Sequence, residues 1–398
     1  MKILVVGGGS GGHITPAVAV VREILNLKPR AEVEFWTDFK YYKNVTKLTT
    51  EIGVSTHVNV HRLPAGKFHR YAGWKFRDYF KHFDITLKDL VLGNILGFLG
   101  FLFGIITSLI RLAKRSTRPN VIFLKGGFVG LPVGLVARFF KIPYVIHESD
   151  AVAGLANRIL MRKARVVAFG APLSEETLNK HPNYIWTGIP VSAEYKVVSP
   201  SKQASLKRAF SFNPDKPLVV ITGGSQGSKN LDETTRIILP ELLKIASVGL
   251  VAGHKHYESM MDLKRYENWN HATLDSDFRM WEFSTVMNEL MGAADIVVSR
   301  AGATTIAELA ALKKAVILVP FERLPGSHQV RNAERLKSIG AVEVLNDADM
   351  MADPNKLLEI IRRLAKYPRI CGDMANILHH EARPDSARHL AEIILKEA

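Results

Sequence analysis

Cysteine is almost absent from this chain of 398 residues, since Cys371 is the single one. One cysteine cannot form an internal disulfide, which is typical of proteins that work in a reducing compartment. A secretory signal peptide is not expected either, because Lys2 leads directly into an apolar run and glycines without a cleavage-site pattern. We therefore predict a cytoplasmic protein.

Acidic residues are also few. The chain has 38 Asp and Glu against 53 Lys and Arg, which gives a formal net charge of +15. Such a surplus predicts nucleic acid, an anionic membrane surface or a phosphorylated substrate as a partner, or serves solubility alone. The cations cluster in residues 62–82 and 111–118, on either side of the most apolar part of the chain. This distribution favours a membrane surface, and no nucleic acid is expected.

Charge is missing altogether from Leu90 to Ile110. About 20 apolar residues can span a bilayer, but a span here would separate strands that we expect in one sheet. One interpretation is a buried helix or helical hairpin. The other, which we favour, is a helix with one face in the domain and another in a lipid surface, so that residues 67–118 attach the protein peripherally to anionic lipids. Aromatic residues interleave the cations of 68–80, as in many interfacial segments.

Short β-branched runs alternate with helix-like stretches along the whole chain, which predicts parallel sheets and an α/β fold. The predicted strands are 3–6, 32–36, 121–124, 144–147 and 166–169, then 217–222, 248–253, 295–299 and 315–320. Helices are predicted over 16–27, with Pro16 just inside its start, and over 157–165. We expect two doubly wound domains, 1–190 and 191–383, and a C-terminal helix in 384–398 that packs back on the first domain.

Four of these strands run directly into glycine-rich loops. The loops are GGGSGG (7–12), KGGFVG (125–130), GGSQGS (223–228) and RAGATT (300–305). Ligands of open α/β sheets bind beyond the carboxyl ends of the strands, where glycine permits close approach and a helix N-terminus receives anions. The first loop also fits the dinucleotide pattern G-x-G-x-x-G, with Asp38 available to hold a ribose, so a dinucleotide site stays open at this point.

Several side chains near these loops can carry chemistry. His13 follows the first loop near a helix N-terminus, where the helix dipole favours a neutral imidazole that can accept a proton. Glu308 lies about one turn inside a predicted helix and can hold both hydroxyls of a ribose, and His328 and Gln329 precede another helix and can bind sugar hydroxyls. The sequence around Asp150, HESD, lacks the spacing of a metal site, so no metal is expected.

The motifs GGGSGGHITPAVAV, KGGFVGLPVGLVA, HESDAVAGLANRIL, TGGSQGSKNLDE and SRAGATTIAELAAL, with HQVRNAERL, occur in an order that resembles the MurG family of bacterial peptidoglycan synthesis. The resemblance covers about residues 3 to 345. It implies a GT-B fold, two Rossmann-like domains facing across a cleft. It also implies an inverting transfer of GlcNAc from UDP-GlcNAc to the C4 hydroxyl of undecaprenyl-linked lipid I, which yields lipid II.

The resemblance also implies roles for individual residues. His13 and Asp150 are the candidate catalytic bases. The implied UDP-GlcNAc site consists of Ser192, Ser225, Gln226, Phe283, Ser284, Glu308, His328 and Gln329. The loops implied to face the acceptor diphosphate contain Gly9, Ser10, Gly11, Gly12, Gly126 and Gly127. Many family members carry Asn, Arg and Gln where this chain has Asp150, Ser192 and His328.

The family further implies peripheral attachment to the cytoplasmic face of the bacterial plasma membrane and other cell-wall synthesis proteins as partners. No cofactor is required, and the dependence on a divalent cation stays open. Alternatives are another GT-B transferase with a different lipid or small-molecule acceptor, a dinucleotide-dependent enzyme, and a membrane-bound nucleotide-sugar sensor.

Overall fold

The computed structural model describes residues 1–67, 92–150, 153–224, 227–253, 256–258, 276–284, 286–322 and 328–398. They form two compact units. The first comprises Met1–Ser192 and Arg383–Ala398, and the second comprises Ala193–Glu322 and Ser327–Ala382.

The first unit is built on a sheet of seven parallel strands in the order β3-β2-β1-β4-β5-β6-β7. Its strands are β1 (Lys2–Val6), β2 (Glu32–Thr37), β3 (Val58–Arg62), β4 (Val121–Leu124), β5 (Tyr144–Glu148), β6 (Val166–Phe169) and β7 (Tyr184–Trp186). Strands β2 and β3 lie on one side of β1, and strands β4 to β7 lie on the other. The order of the strands therefore reverses between β1 and β4, which is the point at which doubly wound folds bind ligands.

Helices cover both faces of this sheet. They are α1 (Gly11–Leu27), α2 (Tyr42–Glu51), α3 (Gly93–Ala113), α4 (Gly130–Phe139), α5 (Leu155–Met161), α6 (Glu175–Lys180) and, from the end of the chain, α15 (Ser386–Lys396). Alternate residues of β1 point to opposite faces, so Ile3 and Val5 pack under α1, α2 and α15, while Leu4 and Val6 pack under α3, α4 and α5. Helix α15 packs directly on α1.

The second unit repeats this architecture with six parallel strands in the order β10-β9-β8-β11-β12-β13. Its strands are β8 (Leu218–Thr222), β9 (Ser247–Val251), β10 (Phe278–Trp281), β11 (Ile296–Ser299), β12 (Ala315–Leu318) and β13 (Glu343–Val344). Its helices are α7 (Pro200–Ala209), α8 (Lys229–Leu242), α9 (Met287–Ala293), α10 (Ala303–Leu312), α11 (His328–Ser338), α12 (Asp347–Ala352), α13 (Asn355–Lys366) and α14 (Pro368–His380). The predicted α/β class with doubly wound parallel sheets is confirmed.

All nine predicted strands are present, and the four that sequence analysis missed share one property. They are β3, β7, β10 and β13, the two edge strands of each sheet. Their side chains are mostly half-buried or exposed, unlike those of the inner strands. Edge strands lack the continuous apolar run that a doubly covered inner strand needs, so hydrophobic patterning did not reveal them.

The predicted start of the first helix was wrong. Helix α1 begins at Gly11, so Gly11, Gly12 and His13 form its first turn and Pro16 lies in its interior. Pro16 has no backbone N–H and cannot donate the usual hydrogen bond to the carbonyl of Gly12. The prediction was wrong because it relied on the preference of proline for the first turn of a helix. His13 therefore lies within the first turn of the helix rather than before it.

The uncharged segment forms one helix, α3, and the described chain resumes at Leu92. It is long and apolar enough to cross a bilayer by length and composition alone. Only Gly97, Gly104, Ser108 and Leu112 are buried in it, whereas most of its large apolar side chains are exposed. The alternative of a buried helix or hairpin is therefore wrong for the described part. The aromatic and basic residues of 68–91 lie outside the described residues.

Glycines explain how α3 packs on the first unit. A Cβ at Gly97 would lie 2.6 Å from the carbonyl oxygen of Lys67, and one at Gly104 would lie 2.6 Å from that of Pro64. The helix backbone therefore approaches the segment 64–67 at a distance that leaves no room for a side chain. The face that carries Gly97 and Gly104 points inward, and most of the large apolar side chains point outward.

This packing predicts opposite effects for one substitution at two helical glycines. Gly372 in α14 has open space where a Cβ would stand. Gly372→Ala should stabilise the protein by about 0.5–1 kcal/mol through helix propensity. Gly104→Ala should destabilise it by about 1–3 kcal/mol, because the new methyl group meets a backbone oxygen that cannot move freely. Chemical denaturation of the two variants measures this, and equal effects would contradict the described packing of α3.

Candidate active site

Two glycine loops meet at the carboxyl edge of the first sheet. A Cβ at Gly127 would lie 3.2 Å from both the carbonyl oxygen of Gly8 and Cδ2 of His13, and Gly126 and Gly127 both have positive φ. A Cβ at Gly9 would lie 2.7 Å from the ring of Phe128. Side chains at these glycines would separate the loops, so their absence brings the start of α1 against the loop that follows β4.

His13 is held in this contact as a neutral imidazole. Its ring lies against the backbone of Lys125, and its Nδ1 is buried without a hydrogen-bond partner among the described residues. Burial, and secondly the charge of Lys125, lower the pKa of His13 to about 3. The ring is therefore unprotonated at neutral pH, and an unprotonated imidazole can accept a proton.

Lys125 is the neighbour that sequence analysis did not select. It follows the buried strand β4, is 0% exposed, and donates from Nζ to Oγ of Ser149 at 2.6 Å. Burial lowers its pKa to about 8, although the charges of Glu148 and Asp150 act in the opposite direction. A lysine at the end of an otherwise apolar strand was the signal in the sequence that could have identified it.

Asp38 was available as a ribose ligand for the dinucleotide interpretation, but it binds the protein's own backbone. Its Oδ2 accepts from the amide of Gly9 at 2.6 Å, and its Oδ1 accepts from the amides of Lys40 and Tyr41. The carboxylate thus shapes the first loop and the start of α2. This occupation removes the feature that the dinucleotide interpretation required. It also means that the amide of Gly9 points to Asp38.

Glu148 organises the loop that carries Asp150. One carboxylate oxygen accepts from the amide of Asp150, and the other accepts from the amide of Gly154 and from the side chain of Asn157. Asp150 is half-buried at the same edge of the sheet as His13, and its charge reaches Lys125.

His147 is fully buried, and its Nε2 lies 2.8 Å from the carbonyl oxygen of Gly188. Burial lowers its pKa well below the usual value. Glu148 and His147 thus both contact groups of the protein itself.

At the corresponding edge of the second sheet, Arg300 organises the loop after β8. Its guanidinium donates to Oγ of Ser228, the N-cap of α8, and to Oδ1 of Asp347 at 2.6 Å. Its Cζ also lies 5.5 Å from the ring centroid of Phe321. The arginine thus connects the loops after β8, β11 and β12. Ser225 and Gln226, the predicted UDP contacts of this loop, lie outside the described residues.

Asp232 is a buried acid on the first turns of α8. Neither of its carboxyl oxygens has a hydrogen-bond partner among the described residues. Burial raises its pKa to about 8, with the charge of Arg300 acting in the opposite direction. The group is therefore neutral at pH 7, as expected for a carboxyl without a close donor in a nonpolar environment.

Glu308 lies in α10 and pairs with a residue that sequence analysis missed. Tyr195 donates a hydrogen bond to its carboxylate, and burial nevertheless raises the pKa of Glu308 to about 8. Burial and the charge of Glu308 also raise the pKa of Tyr195. Glu308 is thus a neutral acid at pH 7 with a fixed orientation. No sequence motif connects Tyr195 to Glu308, because 112 residues separate them along the chain.

The other predicted donor-site residues differ in their surroundings. Gln329 accepts the backbone N–H of Phe321 at 2.9 Å through Oε1, so its amide NH₂ group is the part that can donate to a ligand. His328 begins α11, and its Nδ1 is buried without a partner among the described residues.

The remaining predicted donor-site residues lie elsewhere. Phe283 is 50% exposed and Ser284 is half-buried beside it, after β10. Ser192 is the last residue of the first unit, whereas the other donor-site residues belong to the second.

The structure therefore brings the predicted site residues together in two groups. His13, Asp150 and the loops of Gly9–Gly12 and Gly126–Gly127 share the carboxyl edge of β1, β4 and β5. Glu308, His328, Gln329 and the loop before Ser228 belong to the carboxyl edge of β8, β11 and β12. Lys125, Tyr195 and Arg300 contact or adjoin these groups in the structure and were not among the predicted site residues.

Comparison with known proteins identifies both halves of the chain. Residues 3–169 match the glycosyltransferase family 28 N-terminal domain, and residues 218–388 match the glycosyltransferase family 28 C-terminal domain. Among solved structures, MurG of Acinetobacter baumannii superposes with a TM-score of 0.68 at 22% identity over 99% of both chains. The calicheamicin glycosyltransferase CalG4 superposes with a TM-score of 0.61 at 14% identity, over 99% of this chain and 98% of its own. These structures show a shared GT-B fold.

Curated relatives are more similar in sequence. Two of them, from Clostridium kluyveri and Listeria welshimeri, are each named UDP-N-acetylglucosamine–N-acetylmuramyl-(pentapeptide) pyrophosphoryl-undecaprenol N-acetylglucosamine transferase. The first is 32% identical over 91% of both chains, and the second is 32% identical over 99% of both. The resemblance seen in the motifs is confirmed over nearly the whole length, and the chain belongs to the MurG family of glycosyltransferases.

Proposed function

We propose that this chain transfers GlcNAc from UDP-GlcNAc to the C4 hydroxyl of undecaprenyl-diphospho-MurNAc-peptide, lipid I, and so forms lipid II. Its membership of a family whose curated members are named for this transfer carries the proposal. The donor is α-linked and the product β-linked, so a single in-line displacement accounts for the inversion. That step needs a base for the attacking hydroxyl and groups that stabilise the leaving diphosphate.

His13 is the base that the geometry favours. Its neutral imidazole takes the proton of the hydroxyl as the C4 oxygen attacks the anomeric carbon. The bond from that carbon to the UDP oxygen breaks in the same displacement. Asp150 is the second candidate, because it is a half-buried carboxylate at the same sheet edge.

Two variants separate these candidates. His13→Ala should lower turnover by about 10²–10⁴-fold because the proton acceptor is lost, while UDP affinity stays nearly unchanged. Asp150→Asn should retain most of the turnover if His13 is the base. Release of UDP from UDP-GlcNAc with a lipid I analogue measures turnover, and His57→Ala, at an exposed histidine of the same unit, is the control. Near-wild-type turnover of His13→Ala with loss of turnover in Asp150→Asn would assign the base to Asp150.

The donor nucleotide is proposed to bind the second unit, with Glu308 on the ribose. The carboxyl is neutral below a pKa of about 8 in the ligand-free protein. An ionised carboxylate accepts from both ribose hydroxyls, whereas the neutral acid keeps one oxygen as a donor. Ribose binding therefore favours the ionised form, which becomes more populated as the pH rises towards 8.

Uridine binding tests this role of Glu308, because uridine carries no phosphate whose own ionisation would interfere. Its affinity should rise between about pH 6 and about pH 8, over the range in which Glu308 loses its proton. Glu308→Gln should remove this rise, and Glu308→Ala should lower the affinity by about tenfold or more through loss of charge-assisted hydrogen bonds. Calorimetric titration supplies the affinities. A pH-dependent rise that persists in Glu308→Gln would argue against contact with the ribose.

Attachment to the membrane is proposed to occur through α3, at the cytoplasmic face of the plasma membrane. The exposed apolar side chains of this helix are Leu92, Ile95, Leu96, Phe98, Leu99, Leu102, Phe103, Ile106 and Ile110. Their spacing of three and four residues puts them on a broad face opposite the buried glycines. The basic residues Arg111, Lys114, Arg115 and Arg118 follow, where anionic headgroups would meet them.

A double substitution on this face should weaken membrane binding. Leu96 is 62% exposed and Phe103 is 59% exposed, so Leu96→Glu with Phe103→Glu leaves the protein interior intact. The partition onto vesicles that contain phosphatidylglycerol should fall by about tenfold or more, since each buried CH₂ contributes about 0.8 kcal/mol. Ile237→Glu, at a side chain that is 56% exposed in α8, is the matched control. Equal sedimentation of all three proteins with the vesicles would contradict the assignment to α3.

A further inference from the structure

Lys125 is buried at a place where its charge is costly. The side chain is 0% exposed, and transfer of an ammonium group from water into a protein interior carries a large desolvation penalty. The N-terminus of α1, the positive end of a helix dipole, belongs to the same edge of the sheet. Oγ of Ser149 accepts one hydrogen bond from Nζ at 2.6 Å, but a neutral hydroxyl does not balance the charge.

The charged and titratable groups that face Lys125 come from three elements. His13 in α1 and His147 in β5 both have lowered pKa values, first through burial and then through the charge of Lys125. Glu148 and Asp150, at and after the end of β5, act on Lys125 with negative charge. Both oxygens of Glu148 already accept hydrogen bonds from the loop 150–157, so much of its charge is used there.

The edge of the sheet next to Lys125 has the features of an anion site. The N-cap Ser10 makes no side-chain hydrogen bond to the first turn of α1, which begins with Gly11 and Gly12. Gly126 and Gly127, directly after Lys125, have positive φ and allow close approach of the backbone. A buried cation, a helix N-terminus and glycine loops together favour a multiply charged anion over a neutral sugar.

We propose that Lys125 supplies the positive charge that selects a diphosphate-bearing acceptor at the carboxyl edge of the first sheet. This inference rests on the proposed function, since it assigns a residue to the acceptor of that reaction. The diphosphate balances the charge of Lys125, which the protein alone leaves only partly balanced. The sources of such a group are the acceptor lipid and the nucleotide sugar, and the proposal assigns Lys125 to the acceptor.

The charge also couples acceptor binding to pH. Lys125 has a pKa of about 8 in the ligand-free protein, so the ammonium form is lost as the pH rises through that value. Diphosphate affinity should therefore fall above about pH 8 and stay high below it. By the same coupling, a bound dianion offsets the charge of Lys125 that lowers the pKa of His13, which makes the imidazole a better proton acceptor when the acceptor is present.

Inorganic pyrophosphate is the probe for the binding test, used with the full chain labelled with ¹⁵N-glycine. Its titration should shift the amide signals of Gly11 and Gly126 in the wild type. Lys125→Met, which removes the charge but keeps the backbone against which His13 lies, should weaken this binding by at least about tenfold. Lys125→Arg should retain affinity to within about threefold at pH 7 and abolish the loss above pH 8, since arginine stays protonated.

Kinetics distinguish the two sources of diphosphate. Lys125→Met should raise the KM for a lipid I analogue by at least about tenfold, with UDP affinity unchanged. A parallel loss of UDP affinity would assign the lysine to the nucleotide and overturn the proposal. Equal pyrophosphate affinities of wild type and Lys125→Met, or no binding by the wild type, would also overturn it.

Misfolding of Lys125→Met and failure of the proposed function each have a distinct result. If Lys125→Met does not fold, as judged by its circular dichroism spectrum, the pH dependence of pyrophosphate affinity in wild type against Lys125→Arg decides the question by itself. If pyrophosphate binds as expected but no lipid I analogue promotes UDP release, the proposed function fails while the anion site stands. Failure of the inference and failure of the proposed function are therefore distinguishable.

Discussion

The close approach of two glycine loops at the first sheet is the constraint on which the candidate site of the first unit depends. A Cβ at Gly127 would lie 3.2 Å from Gly8 and His13, and the positive φ of Gly127 strains any larger residue there. This contact places the ring of His13 against the backbone of Lys125, where burial keeps the imidazole neutral. The glycines thus determine the environment of a histidine rather than the position of a dinucleotide.

Both units gather side chains at the carboxyl edge of a parallel sheet, but the charged groups at the two edges differ. In the first, a buried lysine lies behind the loops, and acids such as Asp38 and Glu148 are occupied by backbone amides. In the second, Arg300 connects three loops through Ser228 and Asp347, and Glu308 is held neutral by burial. Parallel strands present their carboxyl ends at one edge, so each unit can gather side chains that are distant in sequence.

Helix α3 has two faces with different side chains, one packed on the first unit and one exposed. Its glycines let the backbone approach residues 64–67 closely, while larger apolar side chains on the other faces stay exposed. Glycine lowers helix propensity, so its repeated use here indicates that close packing has priority over local stability. The same sequence property that suggested a membrane span, absence of charge, is consistent with a helix whose outer face meets lipid.

The sequence by itself determined the α/β class, the inner strands and the family. Inner strands are covered on both faces and must be apolar throughout, whereas the edge strands β3, β7, β10 and β13 have no such requirement and were missed. The candidate site residues His13, Asp150 and Glu308 were also proposed from the sequence. Only the tertiary structure decided what surrounds them: Lys125 beside His13, Tyr195 on Glu308, and backbone amides on Asp38. Burial and long-range contacts set these environments, and neither is visible in the spacing of residues along a chain.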